Sequence, residues 1–228
     1  MADKVQERIY AEKAATLLTA NWMLVDIPEP LDFEIRTPTE KFGLEVRQIF
    51  VDAEVSYGSP AKYSEAKTLH TVSHLAKRYY ESGGPPLSAK FRGILSSANS
   101  GAVLKCMIAS APAYPGPVTT LEAPQVKVYM RRLPSSFVRY SRWTFVNDKV
   151  GWLRRVSTPE LQHAINRKAG NLALYKRKYD NIDLLLVADR MFNSGKLILG
   201  GLPTLSNPGF RNIYFMSYTE SIHNVSAK

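Results

Sequence analysis

Apolar and polar residues alternate with period two in two early segments, Leu31 to Ile35 and Phe42 to Phe50, with Pro38 and Gly43 as punctuation. That period predicts two strands. On the second, Leu44, Val46 and Gln48 fall on one face and Glu45, Arg47 and Ile49 on the other. Folded as a hairpin, the two strands bring Asp32 and Glu45 together, with Arg47 two residues further along the same face. Ahead of them, Val5, Ile9, Leu17 and Leu18 interspersed with charges predict an amphipathic helix from Val5 to Ala20. Glu7 and Glu12 lie within a turn or two of each other there, and read as solvated helix charges or as a carboxylate lent to a nearby metal. Asn21 to Pro30 reads as a connection, because Pro28 and Pro30 exclude helix.

Further along, Val51 to Ser59 is a polar turn region, and Ser59-Pro60 a helix start with a hydroxyl cap and proline at the first position. The helix is expected to reach Glu81, with Leu69, Val72, Leu75, Ala76 and Tyr79 on its apolar side, and to stop at Gly83-Gly84-Pro85-Pro86. His70 and His74 have the spacing of a helical metal pair but no carboxylate between them, and read as structural or surface histidines. Leu87 to Ile94 predicts a third strand, Ser97 to Ala111 a short helix, and Ala111 to Pro124 a surface loop before apolar patterning resumes at Val126, Val128 and Met130. Ser157-Thr158-Pro159-Glu160 starts another helix, expected to run to Tyr175 or Tyr179. Lys168 falls near its apolar face, where a lysine either snorkels or points into a site. Ile182 to Ala188 is almost continuously apolar, the pattern of a central strand buried on both faces. A helix feeding such a strand implies an α/β sheet. Ile198 to Leu202 and Ile213 to Met216 read as edge pieces, and the chain from Ser217 onward as frayed.

At 228 residues, 45% apolar, the chain suits one domain, residues 1–228, with a basic insertion at about 112–156. No apolar run approaches the ~18–20 residues of a membrane span, and the N-terminus lacks a signal-peptide pattern, so no membrane and a cytoplasmic location are expected. The single cysteine, Cys106, lies among Leu104, Met107 and Ile108 and reads as a buried, inert thiol.

Charge changes the picture more. The net charge is +10, yet residues 1–55 hold six Lys/Arg against eleven Asp/Glu, which leaves +15 for the remainder. Such a surface attracts a polyanion by counterion release. The most basic stretch holds Arg131, Arg132, Arg139, Arg142, Lys149, Arg154 and Arg155 against Asp148 alone, interleaved with Phe137, Tyr140, Trp143, Phe145 and Trp152. Guanidinium forks beside rings suit phosphates and stacked bases; a hairpin with core aromatics and solvated arginines has the same pattern. Gly195-Lys196 is not a phosphate loop, and no nucleophile elbow or paired-cysteine zinc pattern occurs.

The order of an opening helix, Pro30-Leu31-Asp32, Glu45-Val46-Arg47 on the next strand and a long helix resembles the PD-(D/E)XK nuclease superfamily. Phe42 to Asp52, Gly58-Ser59-Pro60, Gly83 to Pro86, Ile165 to Lys168, Tyr175 and Leu184 to Asp189 are similar to bacterial and phage members with that core. The resemblance covers residues 5–95 and 158–190. It implies a restriction-endonuclease-like α/β core, a mixed central sheet flanked by helices, in which Asp32 and Glu45 bind Mg²⁺ or Mn²⁺ and a lysine assists the attacking water. The Val46 carbonyl is a further ligand in that scheme. Here the lysine position is Arg47, which stays protonated and serves as a phosphate clamp, not as a base; Lys62, Lys67 or Lys168 then has to reach in from a helix. Glu34, on the same strand face as Asp32, competes for the aspartate's role. The expected partner is nucleic acid, DNA in the first instance, bound through Arg131, Arg132, Arg139, Arg142, Trp143, Arg154, Arg155 and Lys168, by a homodimer or larger complex. The expected activity is metal-dependent phosphodiester hydrolysis. The alternatives are an inactive nuclease-fold module that binds nucleic acid or a protein, and an assembly component of a bacterial or phage system.

Overall fold

Each half of the chain buries an alternating or helical apolar stripe, and the computed structural model, which describes residues 4–51, 59–146 and 153–226, shows where each stripe goes. In chain order the elements are α1 (Lys4–Leu17), β1 (Met23–Asp26), β2 (Phe33–Arg36), β3 (Lys41–Gln48), α2 (Pro60–Glu81), β4 (Leu87–Gly93), α3 (Ser97–Ala109), β5 (Thr119–Ala123), β6 (Val126–Arg132), β7 (Thr144–Val146), β8 (Arg154–Arg155), α4 (Thr158–Ala169), α5 (Leu172–Tyr175), β9 (Ile182–Asp189), β10 (Leu197–Ile198), β11 (Asn212–Tyr218) and β12 (Ser221–Asn224). The fold is mixed α/β. It divides into two compact units, residues 1–62 with 152–228, and residues 63–151.

The first unit is built on a six-stranded sheet of order β1-β2-β3-β9-β11-β12. β2 and β3 are antiparallel, β3 runs parallel to β9 and β9 parallel to β11, so the sheet is mixed. All eight residues of β9 are buried, as its unbroken apolar run requires. On one face Leu185 and Val187 pack with Leu44, Val46 and the Tyr10, Ala11 and Ala14 stripe of α1. On the other, Leu184 and Leu186 pack with Ile49 and with Leu161, Ala164 and Ile165 of α4. Helices therefore flank both faces. α4 begins as expected: Ser157 N–H donates to Glu160 Oε2 at 2.8 Å, and the Glu160 N–H donates back to Ser157 Oγ.

The second unit carries a four-stranded sheet of order β5-β6-β4-β7. Its core joins Val72, Leu75, Ala76 and Tyr79 of α2 to Leu87, Ala89 and Phe91 of β4, Val103, Leu104 and Met107 of α3, and Val126, Val128 and Met130 of β6. α2 starts at Pro60, with Ser59 Oγ accepting from the Lys62 N–H at 3.2 Å, and ends in a tight turn where Gly83 has φ +80°.

Several expectations are corrected. Asn21 to Pro30 contains β1, and Ala111 to Pro124 contains β5, which joins β6 through Gln125 at φ +64°. Neither has a strong apolar alternation; β5 reads Thr-Thr-Leu-Glu-Ala, and its pairing rests on backbone hydrogen bonds to β6. β11 is a full interior strand, and the segment after Ser217 returns as β12. The helix from Ser157 breaks at Gly170-Asn171 before the single turn of α5. Cys106 is half-buried where a buried thiol is expected, whereas His70 and His74 are exposed with stacked rings, in keeping with surface histidines. Most of the Val51 to Ser59 turn, and Lys149, lie outside the described residues. Among the described residues no helix is long and apolar enough to cross a membrane.

Candidate active site

The β2–β3 register pairs Phe33 with Leu44, and one step further sets Asp32 opposite Glu45. The two carboxylates come together as the strand pattern predicts. Asp32 Oδ1 accepts from Lys4 Nζ at 2.7 Å and Oδ2 from the Val46 N–H at 2.8 Å, so α1 and β3 both hold it. The Glu45 side chain is 3% exposed and its Oε1 accepts from Lys168 Nζ of α4. Its other oxygen, Oε2, is buried and has no hydrogen-bond partner. Burial first, and then the charge of Asp32, raise the Glu45 carboxyl to about 7, against the pull of Lys168 and the Tyr175 hydroxyl.

Glu7 belongs to the same cluster. Its position on the Glu7, Ala11, Ala14 stripe turns it inward, and the stripe in the sequence is the signal that marks it as buried, not solvated. Lys4 Nζ lies 3.5 Å from Glu7 Oε2, which is buried without a hydrogen-bond partner. Burial and the neighbouring Asp32 raise the Glu7 carboxyl above its usual range, and Lys4 offsets this.

Around the cluster opens a cleft of about 500 Å³ lined by Gln6, Glu7, Tyr10, Val46, Arg47, Gln48, Phe50, Lys62, Lys168 and Phe192. Arg47, Lys62 and Lys168 make its walls cationic beside the carboxylates. Arg47 Nε is buried and unpartnered. Burial and the nearby Arg167 hold the Arg47 guanidinium below its ordinary pKa, and Glu45 works against them. The back of the cleft is fixed by Tyr10, whose hydroxyl donates to Asp189 Oδ2 at 2.5 Å and accepts from Gln48 Nε2. Burial and Asp189 push the Tyr10 hydroxyl far above its usual pKa, so it stays a donor.

Of the other residues singled out from the sequence, Glu34 is held by Arg36 at 2.6 Å and by the Tyr179 hydroxyl at 2.7 Å, which together lower its pKa; it does not take the place of Asp32. Lys67 is exposed on the part of α2 that belongs to the second unit. Lys168 points into the site: it follows Leu161 and Ile165 at helical spacing along α4, and its Nζ donates to Glu45 Oε1. The basic stretch is divided. Arg131, Arg139 and Arg142 are exposed and Arg132 is half-buried in the second unit, with Arg132 Nη1 donating to the Pro112 carbonyl at 3.2 Å. Arg154 and Arg155 are exposed in the first unit, and Arg154 pairs with Glu160. Trp143 is corrected from a base-stacking ring to a core residue. It is 6% exposed, packs against Tyr79 and Phe91, and its Nε1–H donates to the Leu87 carbonyl at 2.8 Å.

The donor chemistry fits a hard divalent cation: carboxylate oxygens, one of them buried without a partner, at the edge of a polar cleft. The candidate set is the pair Asp32 and Glu45, with Glu7 beside it; among the described residues no group of three or more His, Cys, Asp or Glu is arranged as a metal cage. No family model, curated protein or solved structure matches this chain.

Proposed function

We propose that the first unit is a divalent-metal-dependent nuclease that hydrolyses phosphodiester bonds, and that Asp32 and Glu45 hold Mg²⁺ or Mn²⁺. When bound, the ion supplies a Lewis acid for the phosphoryl oxygen and lowers the pKa of a water. One observation carries the reading: a buried glutamate oxygen without a partner, opposite an aspartate, with a lysine on the glutamate's other oxygen. Lys168 favours the ionised form of Glu45 and stands where an attacking water can be oriented. It brings an ammonium to the acids from α4, while the strand itself carries Arg47, whose guanidinium does not give up its proton. Arg47 lines the cleft, where its guanidinium is the group to clamp a phosphate oxygen and steady negative charge as it develops. Tyr10 and Gln48 keep the cleft wall in place through Asp189.

The test is incubation of the full chain with single-stranded and duplex DNA in Mg²⁺, Mn²⁺ or EDTA. Metal-dependent cleavage lost in Asp32→Ala and in Glu45→Ala supports the reading; no cleavage, or cleavage indifferent to both substitutions, overturns it. A second reading is favoured by the ammonium groups already on both acids, Lys4 on Asp32 and Lys168 on Glu45. Such a neutralised pair suits a module that binds nucleic acid without turnover. It predicts salt-dependent binding that Glu45→Ala leaves intact.

A further inference from the structure

Two phenylalanines, Phe50 and Phe192, sit half-buried on the wall of this cleft. Phe50 lies two residues past the end of β3, and Phe192 three residues past the end of β9. β3 and β9 are neighbouring parallel strands, so both rings emerge at the same edge of the sheet, the edge where ligands bind in open α/β sheets. Lys62, in the first turn of α2, meets them there. Its ammonium is 5.1 Å from the Phe50 ring centre and 4.7 Å from that of Phe192. Two π faces and one cation thus converge on a point beside Arg47 in the cleft.

We propose that Phe50 and Phe192 form a stacking subsite for an unpaired base and that Lys62 is the partner of its phosphate, so that the cleft takes single-stranded nucleic acid. The proposal rests on the nuclease reading for its choice of ligand class and deepens it by naming the strand form. In a duplex the faces of the bases are covered by their neighbours and only edges and backbone are offered; a ring recessed in a cleft has nothing to stack on. An unpaired base presents its face to any aromatic ring without regard to sequence. A cleft of about 500 Å³ also has the size of a site for one small ligand, a nucleotide among them. Lys62, held over both rings in the free protein, is released to a phosphate once a base takes over the ring faces.

The experiment is fluorescence anisotropy of a labelled single-stranded oligonucleotide and a duplex of the same length, as DNA and as RNA, titrated with the full chain in EDTA so that nothing is cut. The expected result is tighter binding of the single strand, weakened about tenfold by Phe192→Ala and by Phe50→Ala, restored by Phe192→Trp, with duplex binding unmoved. Circular dichroism of each variant confirms folding, and rescue by tryptophan separates stacking from a packing defect. Equal affinity for duplex and single strand, absence of binding, or retention of affinity in Phe192→Leu overturns the subsite. The nuclease reading is scored separately by cleavage. A protein that cuts but ignores Phe192→Ala keeps the enzyme and loses the subsite; one that never cuts but binds single strands through Phe192 does the reverse.

Discussion

The buried glutamate makes a prediction about stability that needs no substrate. In the unfolded chain the Glu45 carboxyl titrates at its ordinary 4.5, and in the folded protein at about 7. Between those values the folded state binds more protons than the unfolded one, so stability falls as pH rises through the window and levels off above it. At about 1.4 kcal/mol per pH unit, the gap amounts to about 3 kcal/mol. Because the value of about 7 already includes the favourable pull of Lys168, this is the net cost of the ionised group. Glu7, also raised, adds to the loss with the same sign. Glu45→Gln keeps the shape and removes the titration. The variant should match the wild type near pH 4.5 and exceed it by up to about 3 kcal/mol near pH 8. Urea unfolding followed by circular dichroism from about pH 4.5 to about pH 8.5 measures the difference, in which groups common to both proteins cancel. Parallel curves, or a wild type that gains on the variant as pH rises, would refute the burial argument. Millimolar Mg²⁺ extends the test: a cation bound between Asp32 and Glu45 stabilises the wild type near pH 8, less near pH 5, and leaves Glu45→Gln unmoved.

Lys168→Met removes the counter-charge of Glu45 and should lower cleavage at neutral pH by about 10²-fold or more, with the acid limb of the pH–rate profile moved to higher pH; an unchanged profile refutes the assigned role. Tyr10→Phe takes a donor from the buried Asp189 and should cost about 1–3 kcal/mol in urea unfolding, and a neutral result would show that the Met191 N–H, 3.0 Å from Asp189 Oδ1, suffices alone. Arg211→Met leaves Asp183, which is fully buried, without the guanidinium that now holds both its oxygens at 2.8 Å, and should destabilise the first unit by about 3–5 kcal/mol.

How far the site could be read from the chain depends on the range of the interactions that make it. Period-two alternation is local, and it carried the Asp32 and Glu45 apposition because an antiparallel pair with a short turn brings near residues together. Caps are local too, which is why Pro60 and Ser157 mark helix starts correctly. β5 and β12 are held by their partners across a hairpin and not by their own apolar content, so composition alone reads them as loop or frayed end. Trp143 shows the same limit on the functional side. Arginines and rings interleave identically whether the ring is outward or, as here, sealed under Tyr79 and hydrogen-bonded to β4. Lys168, which pairs with Glu45, lies between these cases. Its place on an apolar stripe is local and legible; the choice between snorkelling and pointing inward is made by Glu45, 123 residues away. β3 and β9 are adjacent and parallel, and α4, which precedes β9, packs on the same sheet face that bears Glu45 and Ile49. A lysine on the buried stripe of that helix meets a carboxylate in the next strand over. On such a sheet, a strand whose own cation is an arginine can receive an ammonium beside its acid from the flanking helix, without change in the backbone that positions the acids.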